Sequence, residues 1–146
     1  TAPSFQLPSL TGGAIQLGGA NAQNKATLLF FTSPTCPVCK TLLPIMKAID
    51  EQENDWLRVV FASDGVESEH QQFVADNKLQ DYPYLLSAEV GMAYQISKLP
   101  YGVLINDDGK VAAHGLVNNR EHLESLFELH HQNGASDVNI QEVVHA

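Results

Sequence analysis

The chain has 146 residues, 44% of them hydrophobic, and a net charge of -9. That length and apolar content suit one folded domain with a real core and exclude a disordered chain. The acidic balance, without a basic run, excludes nucleic acid and anionic membrane surfaces as natural partners. No apolar run approaches the roughly 18–20 residues that span a bilayer. The longest, Leu28 to Phe31, is strand-sized. No signal peptide is visible, and the chain opens on Thr1 without an initiator Met, as expected of a processed or truncated form.

Residues 1–8 and 14–17 flank Thr11-Gly12-Gly13, and Gly-Gly between short alternating segments predicts a hairpin. Residues 18–25, rich in Gly, Asn and Gln, read as a loop. Residues 26–32 predict the first core strand, apolar on both faces as in a parallel or mixed sheet. From Cys36 to Glu53 the positions Cys39, Leu42, Leu43, Met46 and Ile49 fall three or four apart, which is one face of a helix. Pro44 lies inside it and predicts a kink. Asp50, Glu51, Glu53 and Asp55 stand at the unfavourable end of the helix dipole and read as a solvated face.

Residues 57–62 predict the second core strand, ended by Ser63-Asp64-Gly65. Residues 66–78 follow as a helix with Val66, Phe73 and Val74 inward. Residues 82–86 read as a short strand, and 88–96 as a short helix packing through Val90, Met92 and Tyr94. After Leu99-Pro100-Tyr101, residues 102–105 and 110–114 form a hairpin around Asn106-Asp107-Asp108-Gly109. Residues 119–131 are the closing helix, capped by Asn118 or Asn119, with Leu123, Leu126 and Phe127 as its buried stripe. Residues 132–146 read as a loosely attached tail. Strand–helix alternation followed by a hairpin and a helix predicts an α/β three-layer domain with a mixed central sheet and an extra N-terminal hairpin.

Cys36 and Cys39 are the only cysteines. One closely spaced pair is not the framework of a disulfide-stapled mini-protein. A structural zinc site needs further ligands, and the six histidines are scattered, so no metal is expected. Positions i and i+3 in a first helical turn bring two sulfurs within bridging distance. A thiol at the amino end of a helix meets unpaired N–H groups and the positive end of the dipole, which favour thiolate. Cys36 is therefore the candidate nucleophile, and Cys39, one turn deeper on the buried stripe, the candidate resolving thiol. The redox-active disulfide is the only cofactor this chemistry requires. Pro37 is pre-shaped for the first helical position. Val38 offers no hydrogen bond to the Cys36 sulfur, so the pair is expected to be less oxidising than the strongest oxidants of this kind, near about -120 mV.

Three features together resemble the thioredoxin superfamily: Cys36-Pro37-Val38-Cys39 at a strand-to-helix turn, Pro44 inside the motif helix, and Leu99-Pro100 ahead of a hairpin. The resemblance implies a single thioredoxin-like domain over residues 1–146. It also implies that Pro100 is cis and faces the disulfide, with the Leu99 backbone pairing to an extended substrate segment. Read alone, Leu99-Pro100 is an ordinary trans loop proline. The opening, residues 2–8, and the length between motif and proline are similar to the extracytoplasmic thiol–disulfide oxidoreductase branch. The runs 33–40, 91–101, 115–118 and 120–126 are similar to the MauD family of methylamine-utilisation accessory proteins.

That likeness implies a periplasmic monomer, tethered to the inner membrane by an N-terminal segment absent from this chain. Its implied client is a disulfide-bearing protein, the methylamine dehydrogenase small subunit, with a membrane redox partner. Two positions depart from the wider superfamily. Thr35 stands where a Trp often precedes the first cysteine, and Phe30 where an acid often serves the second. Alternative readings are a reductant of apocytochrome c thiols, a thiol peroxidase, and a module that holds a subunit without catalysis. The peroxidase pattern puts a proline seven residues before the cysteine, where this chain has Leu29.

Overall fold

In the computed structural model, which describes residues 3–18 and 25–133, the chain opens with a hairpin of β1 (Phe5–Pro8) and β2 (Ala14–Leu17). Its turn uses Gly12 and Gly13 at φ values of 117° and 74°, a region that residues with a Cβ avoid. Then come β3 (Ala26–Phe31), α1 (Pro37–Gln52), β4 (Leu57–Ser63), α2 (Glu67–Asn77), β5 (Tyr84–Leu86) and α3 (Ala88–Ala93). The described chain closes with β6 (Tyr101–Ile105), β7 (Val111–Leu116) and α4 (Arg120–Asn133).

The five-stranded sheet has the order β5-β4-β3-β6-β7. β3 and β4 are parallel, as are β4 and β5, whereas β6 runs antiparallel to both β3 and β7. All six residues of β3 are buried because both of its faces are covered. The two-residue period of a strand divides them. Leu28 and Phe30 join Leu57, Val59 and Phe61 under residues of α1, α2 and α4. Leu29 and Phe31 join Val60 and Ala62 under α3 and the hairpin. These are the three layers and the mixed sheet that the sequence pattern predicts.

The predicted stripe of α1 is the one buried, Cys39, Leu42, Leu43, Met46 and Ile49, and the helix continues through Pro44 to Gln52. On α4, Leu123 and Leu126 are buried. Phe127 meets Trp56 edge to face at 5.5 Å. Gly102 of β6 lies beneath this helix. A Cβ there would come within 3.2 Å of Val117 Cγ2 and 3.3 Å of Leu126 Cδ1.

Two polar ties hold the hairpin to the sheet. On β4, the half-buried Arg58 donates through Nε to Thr27 Oγ1 at 2.7 Å and through its guanidinium to the Gln16 carbonyl. At the hairpin turn, Leu10 N donates to Tyr84 O at 2.7 Å, and Tyr84 N donates to Ser9 Oγ at 3.0 Å. Thr11 Oγ1 also donates to Tyr82 O at 2.6 Å. The outer edge of β5 is thus occupied by the turn.

Several expectations need correction. Val66 is 58% exposed, not inward, because it is the extended N-cap of α2 and precedes the helical period. Met92 is 77% exposed, not core. In a helix as short as α3, Val90 takes the inward direction, and a residue two positions on points away from it. That helix stops at Ala93 rather than residue 96, and β5 is shorter than predicted by two residues at its start. The acidic group at the end of α1 is only partly solvated. Glu53 accepts from Trp56 Nε1 at 2.7 Å, and burial pushes the Asp50 carboxyl above its ordinary range, against opposing effects of Val59 and Lys25. Of the predicted tail, residues 134–146 lie outside the described residues.

Candidate active site

β3 ends at Phe31, and five residues later Cys36 stands as the N-cap of α1 with extended backbone, φ -98° and ψ 108°. Pro37 occupies the first helical turn, where its missing N–H costs nothing. Cys36 and Cys39 are disulfide-bonded across a Cα–Cα distance of 5.2 Å, well within the usual range for such a bridge. The Cys39 N–H donates to Cys36 Sγ at 3.2 Å, so the helix start aims a donor at the outer sulfur. Cys36 is partly exposed, whereas Cys39 has no exposed surface. Of the two cysteines, the N-terminal one is the one open to solvent. Val38, between them, is 42% exposed.

The sheet register brings the second predicted segment to the same end. Phe31 pairs with Tyr101, so Pro100 lies beside the residue that follows β3. The Leu99–Pro100 peptide bond is cis, Pro100 is buried, and its carbonyl accepts from Val117 N at 2.9 Å. Leu99 stays 42% exposed. The structure therefore places Cys36, Cys39, Pro37, Val38, Leu99 and Pro100 at one end of the sheet. A shallow cleft of about 560 Å³ runs from Pro34, Thr35 and Lys40 to Glu69, Gln72 and Asp76 on α2.

The position matching the acid of related folds is filled by Phe30, fully buried with its ring edge-on to Phe61 at 6.0 Å. No carboxylate on β3 can take the Cys39 proton. Among the described residues, no group of three or more His, Cys, Asp or Glu side chains is placed to hold a metal. No helix among them is long and apolar enough to cross a membrane.

Sequence reasoning missed His70. It is 1% exposed, with Nδ1 2.7 Å from Tyr84 Oη and Nε2 2.8 Å from the Asp64 carbonyl. A carbonyl only accepts, so Nε2 carries the proton and Nδ1 accepts from the tyrosine. The ring pins the tip of β4 to α2 and β5. Gly65, at φ 124°, leaves room for it, since a Cβ there would meet His70 Nε2 at 3.2 Å.

Comparison with known proteins fits this geometry. Residues 1–114 match the AhpC/TSA family. The chain belongs to that family. It is also 51% identical over 127 residues to the methylamine utilization protein MauD of Methylorubrum extorquens and 50% identical to that of Paracoccus denitrificans, in each case across 87% of the chain. It spans 61% and 62% of the lengths of those two relatives. Among solved structures it is similar to one described as a thioredoxin from Neisseria meningitidis, with a TM-score of 0.73 and 25% identity over 92% of this chain and 93% of that one. AhpC/TSA membership and this likeness agree on a thioredoxin-like fold, and in this chain the β1–β2 hairpin precedes it.

Proposed function

We propose that this AhpC/TSA-family protein is a thiol–disulfide oxidoreductase of methylamine utilisation. The observation that carries it is the Cys36–Cys39 disulfide at the start of α1, with Cys36 partly exposed and Cys39 buried. In the reducing direction, the Cys36 thiolate attacks one client sulfur. A Cys36–client disulfide forms, and the client's other sulfur leaves as a thiolate and takes up a proton. Cys39 then loses its proton and attacks Cys36 Sγ. The Cys36–Cys39 bond closes and the second client thiol departs, two electrons having passed from the pair to the client. The same steps reversed oxidise a client dithiol. Leu99 and Pro100 present the backbone along which the client lies, and Pro37 and Val38 shape the approach.

Identity to MauD supports a specific client, the methylamine dehydrogenase small subunit, matured in the periplasm by a monomer tethered to the inner membrane and recharged by a membrane redox partner. The test is covalent capture. A Cys39→Ser protein cannot resolve the mixed disulfide, so it accumulates Cys36 bound to its client, which mass spectrometry identifies. Absence of the small subunit from that adduct would discard the client. Rescue of maturation by a protein lacking both cysteines would shift the role to subunit holding. An adduct with apocytochrome c would name the other client.

AhpC/TSA membership favours one second reading, reduction of peroxides by Cys36. Against it, the position seven residues before Cys36 is Leu29, fully buried in the sheet. Stopped-flow consumption of hydrogen peroxide at rates far above those of free cysteine would support it.

A further inference from the structure

The last backbone rung between β3 and β4 is the Thr32 N–H on the Ala62 carbonyl, at 2.9 Å. A parallel ladder carried one step further would set the Asp64 N–H on the Thr32 carbonyl. That step is not taken, because β4 turns away through Gly65 at φ 124°. Among the described residues no backbone N–H reaches the Thr32 carbonyl. The Ser63 hydroxyl takes it instead, donating at 2.6 Å in a buried bond. Residues 32–35 alone connect the sheet to Cys36, so the point at which they leave it sets where the sulfur stands. Within that connection the Ser33 carbonyl accepts from Cys36 N at 3.1 Å, and the Ser33 hydroxyl accepts from Thr35 N at 3.3 Å. Cys36 is thereby held as the N-cap of α1, where its sulfur receives the Cys39 N–H at 3.2 Å.

We propose that Ser63 is a positioning residue for Cys36: its hydroxyl fixes where the chain departs from β3 and so keeps the Cys36 sulfur on the Cys39 N–H. The proposal rests on the thiol–disulfide reading above. A buried carbonyl stripped of its donor must find another, and residues 32–35 are the part free to shift in search of one. Ser63 itself stays in place whatever its side chain, since its own carbonyl accepts from Ser87 N at 2.9 Å. The Tyr84 hydroxyl, which also bonds Ser63, keeps His70 Nδ1 at 2.7 Å. Loss of the Ser63 hydroxyl is therefore felt on the Thr32 side. A backbone donor on the sulfur favours thiolate over thiol. Loosening that donor lowers the thiolate fraction of Cys36 and shifts the pair towards its disulfide.

Four variants of the full chain test it. Ser63→Ala and Ser63→Val lose the hydroxyl, whereas Ser63→Thr, which has the shape of the valine variant, keeps it. Leu57→Val removes buried volume at the far end of β4, about 20 Å away at about 3.3 Å per residue. Two quantities are read on each. One is the pH profile of iodoacetamide alkylation at Cys36 in the reduced protein, located by mass spectrometry. The other is the equilibrium of the pair with glutathione. Without the hydroxyl, the alkylation midpoint should rise by about 0.5 pH unit, a threefold loss of thiolate below it. The glutathione equilibrium should move about threefold towards the disulfide, or about 14 mV. Ser63→Thr and Leu57→Val should match the natural protein in both. Thermal melts establish that each variant folds, and if Ser63→Ala does not, the comparison of Ser63→Thr with Ser63→Val decides. Natural values in the variants without the hydroxyl, or an equal shift in Ser63→Thr or Leu57→Val, overturn the positioning role and leave the oxidoreductase reading standing. A natural pair that does not exchange with glutathione overturns both.

Discussion

Between the two cysteines stands Val38, 42% exposed and without a polar atom in its side chain. The Cys36 sulfur therefore takes its stabilising donor from the helix start, the Cys39 N–H, and none from Val38. A cationic or hydrogen-bonding neighbour would favour the thiolate further and so destabilise the disulfide. Val38→His is expected to make the pair more oxidising by about 30 mV or more, a tenfold or larger change in its equilibrium with glutathione. Equilibration of both proteins in glutathione buffers measures it, and an unchanged or lower potential would contradict the argument. His70 acts on stability instead. Replacing it by leucine removes two hydrogen bonds, a part-buried one to the Asp64 carbonyl and a buried one to the Tyr84 hydroxyl, which keeps its side-chain bond to Ser63. At about 0.5–1.5 kcal/mol for each bond, His70→Leu should lower the urea-unfolding free energy by about 1–3 kcal/mol. The Tyr84 phenol itself is pushed up to about 12 from an ordinary 10, mainly by burial. Its folded form holds the proton more tightly than the unfolded form, so its contribution is intact below about pH 10 and lost between about pH 10 and 12. Urea midpoints across that range should fall more steeply for the natural protein than for Tyr84→Phe.

Elements differ in how readily sequence alone exposes them. β3 and β4 were legible as unbroken apolar runs because both faces are buried, and α1 because five buried residues keep helical spacing. The disulfide and its helix start were legible for a local reason, that all their parts lie within four residues. Leu99-Pro100 needed the family likeness, since nothing in its own neighbours distinguishes cis from trans. What stayed hidden depends on remote partners. His70 reads as one more polar residue on an acidic helix until Asp64 and Tyr84 close around it. Thr32, just past β3, and Gly91 of α3 come to line one cavity only when the chain has folded. Val66 and Met92 misled because a cap and a six-residue helix do not sustain the period that assigns an inward face. Gly102 shows the same dependence in the packing of α4 on β6. Gly102→Val would press against Val117 and Leu126, and overpacking of that kind costs about 1–3 kcal/mol. Chemical denaturation of the variant should show the loss, with Leu126→Ala as second change recovering part of it.

At the scale of the whole molecule, the two faces of the sheet divide the labour. One carries α1, α2 and α4 and the larger share of the core, and it fixes the disulfide at the start of α1. The other carries α3 and the hairpin, and α3 borders a cavity of about 320 Å³ beside Leu99. The hairpin does more than fill that second face. By giving Leu10 and Ser9 to both outward backbone groups of Tyr84, it withholds β5 from every other chain. A protein begun at residue 25 would display that strand bare, beside the apolar residues the hairpin now covers. Strand edges of this sort recruit their own kind. Such a truncated protein should pair with a second copy through β5, seen as a sedimentation coefficient that climbs with concentration towards that of a dimer, while the full chain's stays level. The opening residues are thus a guard against self-pairing, and the dose at which the truncated form begins to pair measures how strong that guard is.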